Sequence, residues 1–196
     1  MGNRMIGVSV AVPEPYGSLL QRARAGFGDP AADGIPSHVT LLPPTEVAAE
    51  VLPLFSRHLA GVAAAGRSFL MRLSGTGTFR PQSPVVFVTL AQGAEECGAL
   101  QEHVRSGPVR RRLDFPYHPH VTVAHGIAEE AMDRAQRELA QFAAAWTVTG
   151  FSLYEQGGDG VWRTHREFPF ARPPGSAPGL PQQQAGRQDA LRRSGL

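Results

Sequence analysis

Lysine is absent from this chain of 196 residues, and all 19 of its basic residues are arginine. A phosphate loop that depends on a Walker A lysine is thereby excluded. Cysteine is almost absent. Cys97 stands alone, so the chain forms no internal disulfide and no paired-cysteine metal site, which suits a reducing compartment. Long apolar runs are missing as well. No segment reaches the roughly 18 consecutive apolar residues of a membrane helix. The first apolar stretch, "MIGVSVAV" at 5–12, stops at Pro13 and carries no small-residue cleavage pattern. Within it, "GVSVA" at 7–11 lacks the closing glycine of a nucleophile elbow. We therefore expect a cytoplasmic, monomeric protein without membrane contact.

A broad basic surface is also lacking. The formal net charge is +2, but it is unevenly placed. Residues 171–196 hold Arg172, Arg187, Arg192 and Arg193 against Asp189, a local +3. The remaining 15 arginines face 16 acidic residues, so residues 1–170 carry −1. A body near neutrality does not wrap long nucleic acid, though it leaves room for a small site with a few arginines. The 171–196 segment has four Pro, four Gly and no aromatic; too little apolar surface is available to order it, and we read it as a disordered tail. Residues 1–170, with an overall apolar fraction of 42%, are long enough for one domain with a full core.

Hydrophobic periodicity places the elements of that domain. Strands are expected at 5–12, 68–75, 85–91, 146–155 and 161–170, the last two forming a hairpin around "QGGDG". Helical spacing links Val47, Val51, Leu54, Phe55, Leu59 and Val62; then Cys97, Leu100 and Val104; then Met132, Ala135, Leu139, Phe142 and Trp146. A weaker helix covers 16–27. The alternation then repeats itself. Strand 5–12 matches 85–91, the helix from Val47 matches the helix from Met132, and strand 68–74 matches 147–153, with offsets close to 80. The expected fold is α+β: duplicated β-α-β-α-β units, about 1–80 and 81–170, forming two pseudo-symmetric lobes with antiparallel sheets around a central cleft.

The duplication extends to a short motif. "SHVTLLPP" (37–44) and "HPHVTVAHG" (118–126) both contain His-Val-Thr. In a strand, residues i and i+2 share a face. His38 and Thr40 then point one way and Val39 and Leu41 the other; His120 and Thr122 oppose Val121 and Val123 in the same manner. A two-fold duplication can bring the two polar faces to one cleft. Two imidazoles and two hydroxyls suit displacement at phosphorus. One His takes a proton from the attacking oxygen and the other gives one to the leaving oxygen. A free imidazole titrates near pH 6.5, so both protonation states are available. The Thr hydroxyls can donate to non-bridging phosphate oxygens. This chemistry needs no metal or other cofactor.

Two H-h-T-h motifs (h apolar) about 80 residues apart in a duplicated α+β chain resemble the 2H phosphoesterase superfamily, and its LigT-like branch of 2′-5′ RNA ligases and RNA 2′,3′-cyclic phosphodiesterases. The resemblance covers roughly residues 5–170. It implies a bilobal fold, catalytic His38 and His120, phosphate-binding Thr40 and Thr122, and metal-independent hydrolysis of RNA 2′,3′-cyclic phosphate ends, 2′-5′ linkages or related small cyclic phosphates, with ligation as the reverse reaction. Partners would be RNA ends or a small cyclic-phosphate nucleotide. The chain departs from the family where an Arg often follows the second motif, since His125 stands there, and where the first motif meets Pro43 and Pro44.

Other residues carry weaker signals. Phe79 and Arg80 lie in the Gly/Pro-rich loop "GTGTFRPQSP"; in the family a Phe of the comparable loop can border the cleft, where a base could stack on it. Phe115 and Tyr117 precede the second motif, and His125 follows it. Phe79, Arg80, Tyr117 and His125 are candidate substrate contacts. Arg110, Arg111 and Arg112 read as a solvated turn or an RNA phosphate grip. Two alternatives stay open: a non-catalytic RNA- or nucleotide-binding module of the same fold, and a metal-dependent hydrolase using His118, His120 and His125.

Overall fold

The computed structural model describes residues 2–171. Apart from Ala171, the segment read as a disordered tail lies outside the described residues. Eight strands and four helices follow in the order β1 (Asn3–Ala11), α1 (Tyr16–Gly26), β2 (His38–Ala48), α2 (Leu52–Ala65), β3 (Phe69–Thr78), β4 (Val85–Gln92), α3 (Ala94–Arg105), β5 (His120–His125), α4 (Glu129–Glu138), β6 (Ala143–Val148), β7 (Gly150–Gln156) and β8 (Trp162–Pro169). They form two four-stranded sheets, β2-β1-β7-β8 and β5-β4-β3-β6, in which every pairing is antiparallel.

The two sheets correspond strand for strand, as the duplication requires. The corresponding orders also reveal an exchange. β3 closes the first sequence repeat but pairs with β4 and β6, while β7 joins β1. The short loop 79–84 makes β3 and β4 a hairpin, and local antiparallel pairing of consecutive strands takes precedence. The repeat boundary near residue 80 is therefore not the boundary between the sheets. Each half of the chain completes the other half's sheet, and the core is shared: Ile6, Val8 and Leu153 belong to one sheet, Leu73, Val88 and Val121 to the other, and all are fully buried with Phe55 and Leu59 of α2.

Three expected elements shift, each for a readable reason. The helix from Val47 begins only at Leu52, after a single 3-10 turn at Ala49–Val51. Val47 instead pairs with Arg4 at the far end of β2. The helix from Met132 stops at Glu138, and Trp146 lies in β6. Residues four apart share a face both on a helix and on a strand, so Val47/Val51 and Phe142/Trp146 satisfy either period. The expected strand 146–155 is two strands, β6 and β7, which break at Thr149 to pass from one sheet to the other.

Pro43 and Pro44 sit inside β2 without ending it. β2 is an edge strand, where a missing N–H is tolerated. Thr45 pairs with Ile6 and Leu42 with Val8, so the two prolines oppose the single residue Gly7 in a bulge.

Candidate active site

His38 opens β2 and His120 opens β5. The strand parity holds in both: Val39, Leu41, Val121 and Val123 are buried, while His38, Thr40, His120 and Thr122 are half-buried on the opposite face. The two strands pack near one another, and the proximity of His38 disfavours a charge on His120.

Both rings are anchored in the same way. Nδ1 of His38 lies 2.6 Å from the Pro36 carbonyl, and Nδ1 of His120 lies 2.7 Å from the His118 carbonyl. A carbonyl only accepts, so each Nδ1 carries the hydrogen and each Nε2 presents its lone pair. Burial lowers the pKa of both imidazoles below the ordinary 6.5. For His38, Arg24 adds to the lowering; for His120, His118 and His38 do. The bonds to Pro36 and His118 oppose the shift without reversing it.

A cavity of about 690 Å³ opens beside His120 and Thr122. Thr40, Phe79, Tyr117 and His125 line it too. Phe79 meets the His120 ring edge-on at 4.9 Å, and Phe87 lies 4.4 Å from Phe79; these rings supply the low-polarity wall that disfavours the imidazolium. Tyr117 also serves as a strut between the lobes, since its hydroxyl donates to the Thr40 backbone carbonyl at 2.8 Å. Burial pushes that hydroxyl's pKa well above the usual phenol value, so it remains a donor. Phe115, 66% exposed, stands on the rim, and the exposed Arg110, Arg111 and Arg112 run into it. A second cavity of about 130 Å³ lies on the His38 side; Thr40 and Pro44 border both.

Arg80, expected as a substrate contact, turns toward α4. Its guanidinium bonds Glu129 at 2.5 Å and Asp133 at 2.9 Å, both on α4, and it borders a separate cavity outside the cleft. His118 faces the cleft with its ring 6.2 Å from that of His120. Among the described residues, no group of three or more His, Cys, Asp or Glu is arranged to hold a metal ion, so His118, His120 and His125 do not form the cluster that their sequence spacing suggested. Cys97 is buried in the core, which pushes its thiol up to about 12.

Sequence reading missed an ion pair at the base of the site. Arg24 and Asp29 are each 4% exposed and meet at 2.7 Å. Asp29 also accepts the backbone N–H of His125 at 3.0 Å and of Ala31 at 2.9 Å. One carboxylate thus joins α1, the loop leading to His38, and the end of the His120 strand. The five-residue spacing of Arg24 and Asp29 in "RAGFGD" carried no periodic signal. Ser9, Tyr154 and Trp162, which line the cavity with His38, were also missed; the small residues at 7, 9 and 11 of β1 were the only hint.

A pair of antiparallel sheets presenting two His-x-Thr strands to one cleft defines the architecture of a two-histidine phosphoesterase. A family model for the 2′-5′ RNA ligase superfamily matches residues 12–160, and the chain belongs to that superfamily. Provisionally named phosphoesterases of Bacillus thuringiensis (strain Al Hakam) and Bacillus cereus (strain AH187) are each 26% identical over 142 residues, covering 71% of this chain and 82% of theirs. The crystal structure of E. coli LigT complexed with 3′-AMP superposes with a TM-score of 0.63 at 20% identity, over 87% of this chain and all of LigT. The protein TT0787 of Thermus thermophilus superposes with a TM-score of 0.59 at 24% identity, over 85% of this chain and 97% of that one. At these identities the solved structures share the fold. Among the described residues, no helix is long and apolar enough to cross a membrane.

Proposed function

We propose that this protein is a phosphodiesterase acting on RNA 2′,3′-cyclic phosphate ends, 2′-5′ linkages or related small cyclic phosphates, with His38 and His120 as its acid–base pair. The observation that carries the reading is the identical anchoring of the two rings, each with Nδ1–H committed to the backbone and Nε2 left to exchange protons. Supporting it are the matched Thr40 and Thr122 beside them, the family, and the LigT structure with 3′-AMP.

In hydrolysis of a cyclic phosphate, one Nε2 removes a proton from water as its oxygen bonds to phosphorus. The other imidazole, protonated, transfers its proton to the ribose oxygen as the P–O bond breaks. Thr40 and Thr122 donate to the non-bridging oxygens, whose charge grows in the transition state. Both imidazoles are depressed in the free protein, so the bound phosphate's negative charge is what favours a proton on one of them. With a ribose 5′-hydroxyl in place of water as nucleophile, the same displacement forms the new P–O bond as the P–O3′ bond breaks, the 3′-oxygen takes the acid's proton, and RNA ends are joined through a 2′-5′ linkage. The orientation of the ribose then decides which His is acid and which base.

The test is turnover of a panel of 2′,3′-cyclic nucleotides and 2′-5′ dinucleotides in the presence of EDTA. Hydrolysis of one class supports the reading. Loss of activity in chelator with recovery on adding a divalent ion would favour the metallohydrolase, and tight binding with no turnover would favour the binding module.

A further inference from the structure

The smaller cavity beside His38 has a chemistry of its own. Four strands of one sheet build its floor: Gly7 and Ser9 from β1, His38 and Thr40 from β2, Tyr154 from β7, and Trp162 from β8. Gly7 pairs with Tyr154 across the sheet, and Ser9 pairs with Thr40. A side chain at position 7 would bring its Cβ to 3.4 Å from the Trp162 ring and 3.4 Å from the Leu42 carbonyl. The indole thus lies directly over β1 at Gly7. The Trp162 backbone N–H donates to the Gly34 carbonyl at 2.9 Å, which ties the residue to the loop that delivers Pro36 and His38.

Ser9 is the anomaly in this floor. It is 6% exposed between the apolar Val8 and Val10. Its side chain makes no hydrogen bond among the described residues, yet its oxygen is not sealed from the cavity. The hydroxyl is therefore open to pair with a molecule held in the cavity. No Arg, Asp or Glu lines this space; a second phosphate is therefore not its occupant. An indole, a phenol and a hydroxyl around a narrow space fit a neutral planar ring that also carries hydrogen-bonding atoms.

We propose that Trp162, Tyr154 and Ser9 form a subsite for a nucleobase attached, through its ribose, to the phosphate on its His38 side. The ring stacks on Trp162, and the Ser9 and Tyr154 hydroxyls bond its heteroatoms or the ribose hydroxyl. The larger cavity then takes what lies on the other side of the phosphorus. The proposal rests on the phosphodiesterase reading for where the phosphate sits.

Tryptophan emission tests it, because Trp146 and Trp162 are the only two indoles in the chain. In Trp146→Phe, which leaves Trp162 as the sole indole, a nucleoside 3′-monophosphate is expected to quench emission and to bind on the order of 10-fold more tightly than ribose 3-phosphate. Trp162→Ala should reduce that preference to less than about twofold, Trp162→Phe should restore most of it, and Ser9→Ala should weaken nucleotide binding by about threefold or more. Equal binding of the two ligands by Trp146→Phe, or an undiminished preference in Trp162→Ala, overturns the subsite. Turnover of cyclic nucleotides without any ring preference would overturn the subsite alone. A nucleotide-dependent quench in a protein that turns nothing over would overturn the catalytic reading alone.

Discussion

His38 and His120 make the same hydrogen bond: each ring donates Nδ1–H to the carbonyl two residues before it, at 2.6 and 2.7 Å. The bond is local to each strand start. Pro36 and His118 occupy equivalent places in the two repeats, so the duplication sets two imidazoles in one tautomer beside two cavities that Thr40 and Pro44 both border.

Removing either ring should stop catalysis. His38→Ala and His120→Ala are each expected to lower turnover of a 2′,3′-cyclic nucleotide by about 100-fold or more. Full activity in either variant would end the acid–base assignment.

The depressed imidazoles set the pH dependence. The proposed acid–base pair needs one ring charged and the other neutral, and burial lowers both pKa values below the ordinary 6.5 in the free protein. The profile of kcat/KM should be bell-shaped, with its optimum on the acidic side of about 6.5. The kcat profile should be displaced to higher pH, because bound phosphate favours the imidazolium. Steady-state rates from about pH 4.5 to 8.5 read both curves; a kcat/KM optimum above about 7 contradicts the depressed values.

Stability should follow the same groups. The folded pKa of each ring is depressed relative to the unfolded chain, so the unfolded state binds more protons. The stability these neutral rings contribute is present above about pH 6.5 and is lost as pH falls through the lowered folded values. Tm is expected to drop between about pH 7 and pH 5, and to drop less in His38→Gln and His120→Gln. Equal slopes in wild type and variants would refute the linkage.

The Arg24–Asp29 pair is enclosed, so losing one partner strands the other. Asp29→Ala leaves a buried guanidinium and the His125 and Ala31 N–H groups without their acceptor, a cost of about 3–5 kcal/mol. Urea unfolding measures it. The double variant Arg24→Met/Asp29→Leu is expected to recover most of the Arg24 share of the loss; no recovery would show that the two N–H groups, and not the stranded charge, carry the cost.

Hydroxyl removal should separate binding from scaffolding. If the two hydroxyls hold the phosphate as proposed, Thr40→Val and Thr122→Val should each remove a hydrogen bond to charged oxygen worth about 1.5–3 kcal/mol, or roughly 10- to 100-fold in kcat/KM. Arg80 is held by α4 outside the cleft, so Arg80→Ala should leave kcat/KM within about twofold. A larger loss at Arg80 than at either Thr would contradict this placement.

Period and repetition made much of this legible from sequence. Strands with continuous apolar runs, such as β1 and β4, stood out, and the second His-Val-Thr turned a local histidine cluster into a pair. The reading failed where two periods coincide, as at Val47 and Trp146, since residues four apart share a face on either element. Nor did the charge of Arg80 show that its loop turns toward α4.

Residue order alone determines the repeated His-Val-Thr, its strand parity and the two-fold plan, because alternation and duplication are properties of the linear chain. Folding settles the rest. It makes β3 and β7 change places between the sheets, joins Arg24 through Asp29 to the end of the His120 strand, and brings Ser9, Tyr154 and Trp162 together beside His38. Most of those contacts join residues far apart in the chain, and no local pattern encodes a meeting that depends on how two whole sheets pack.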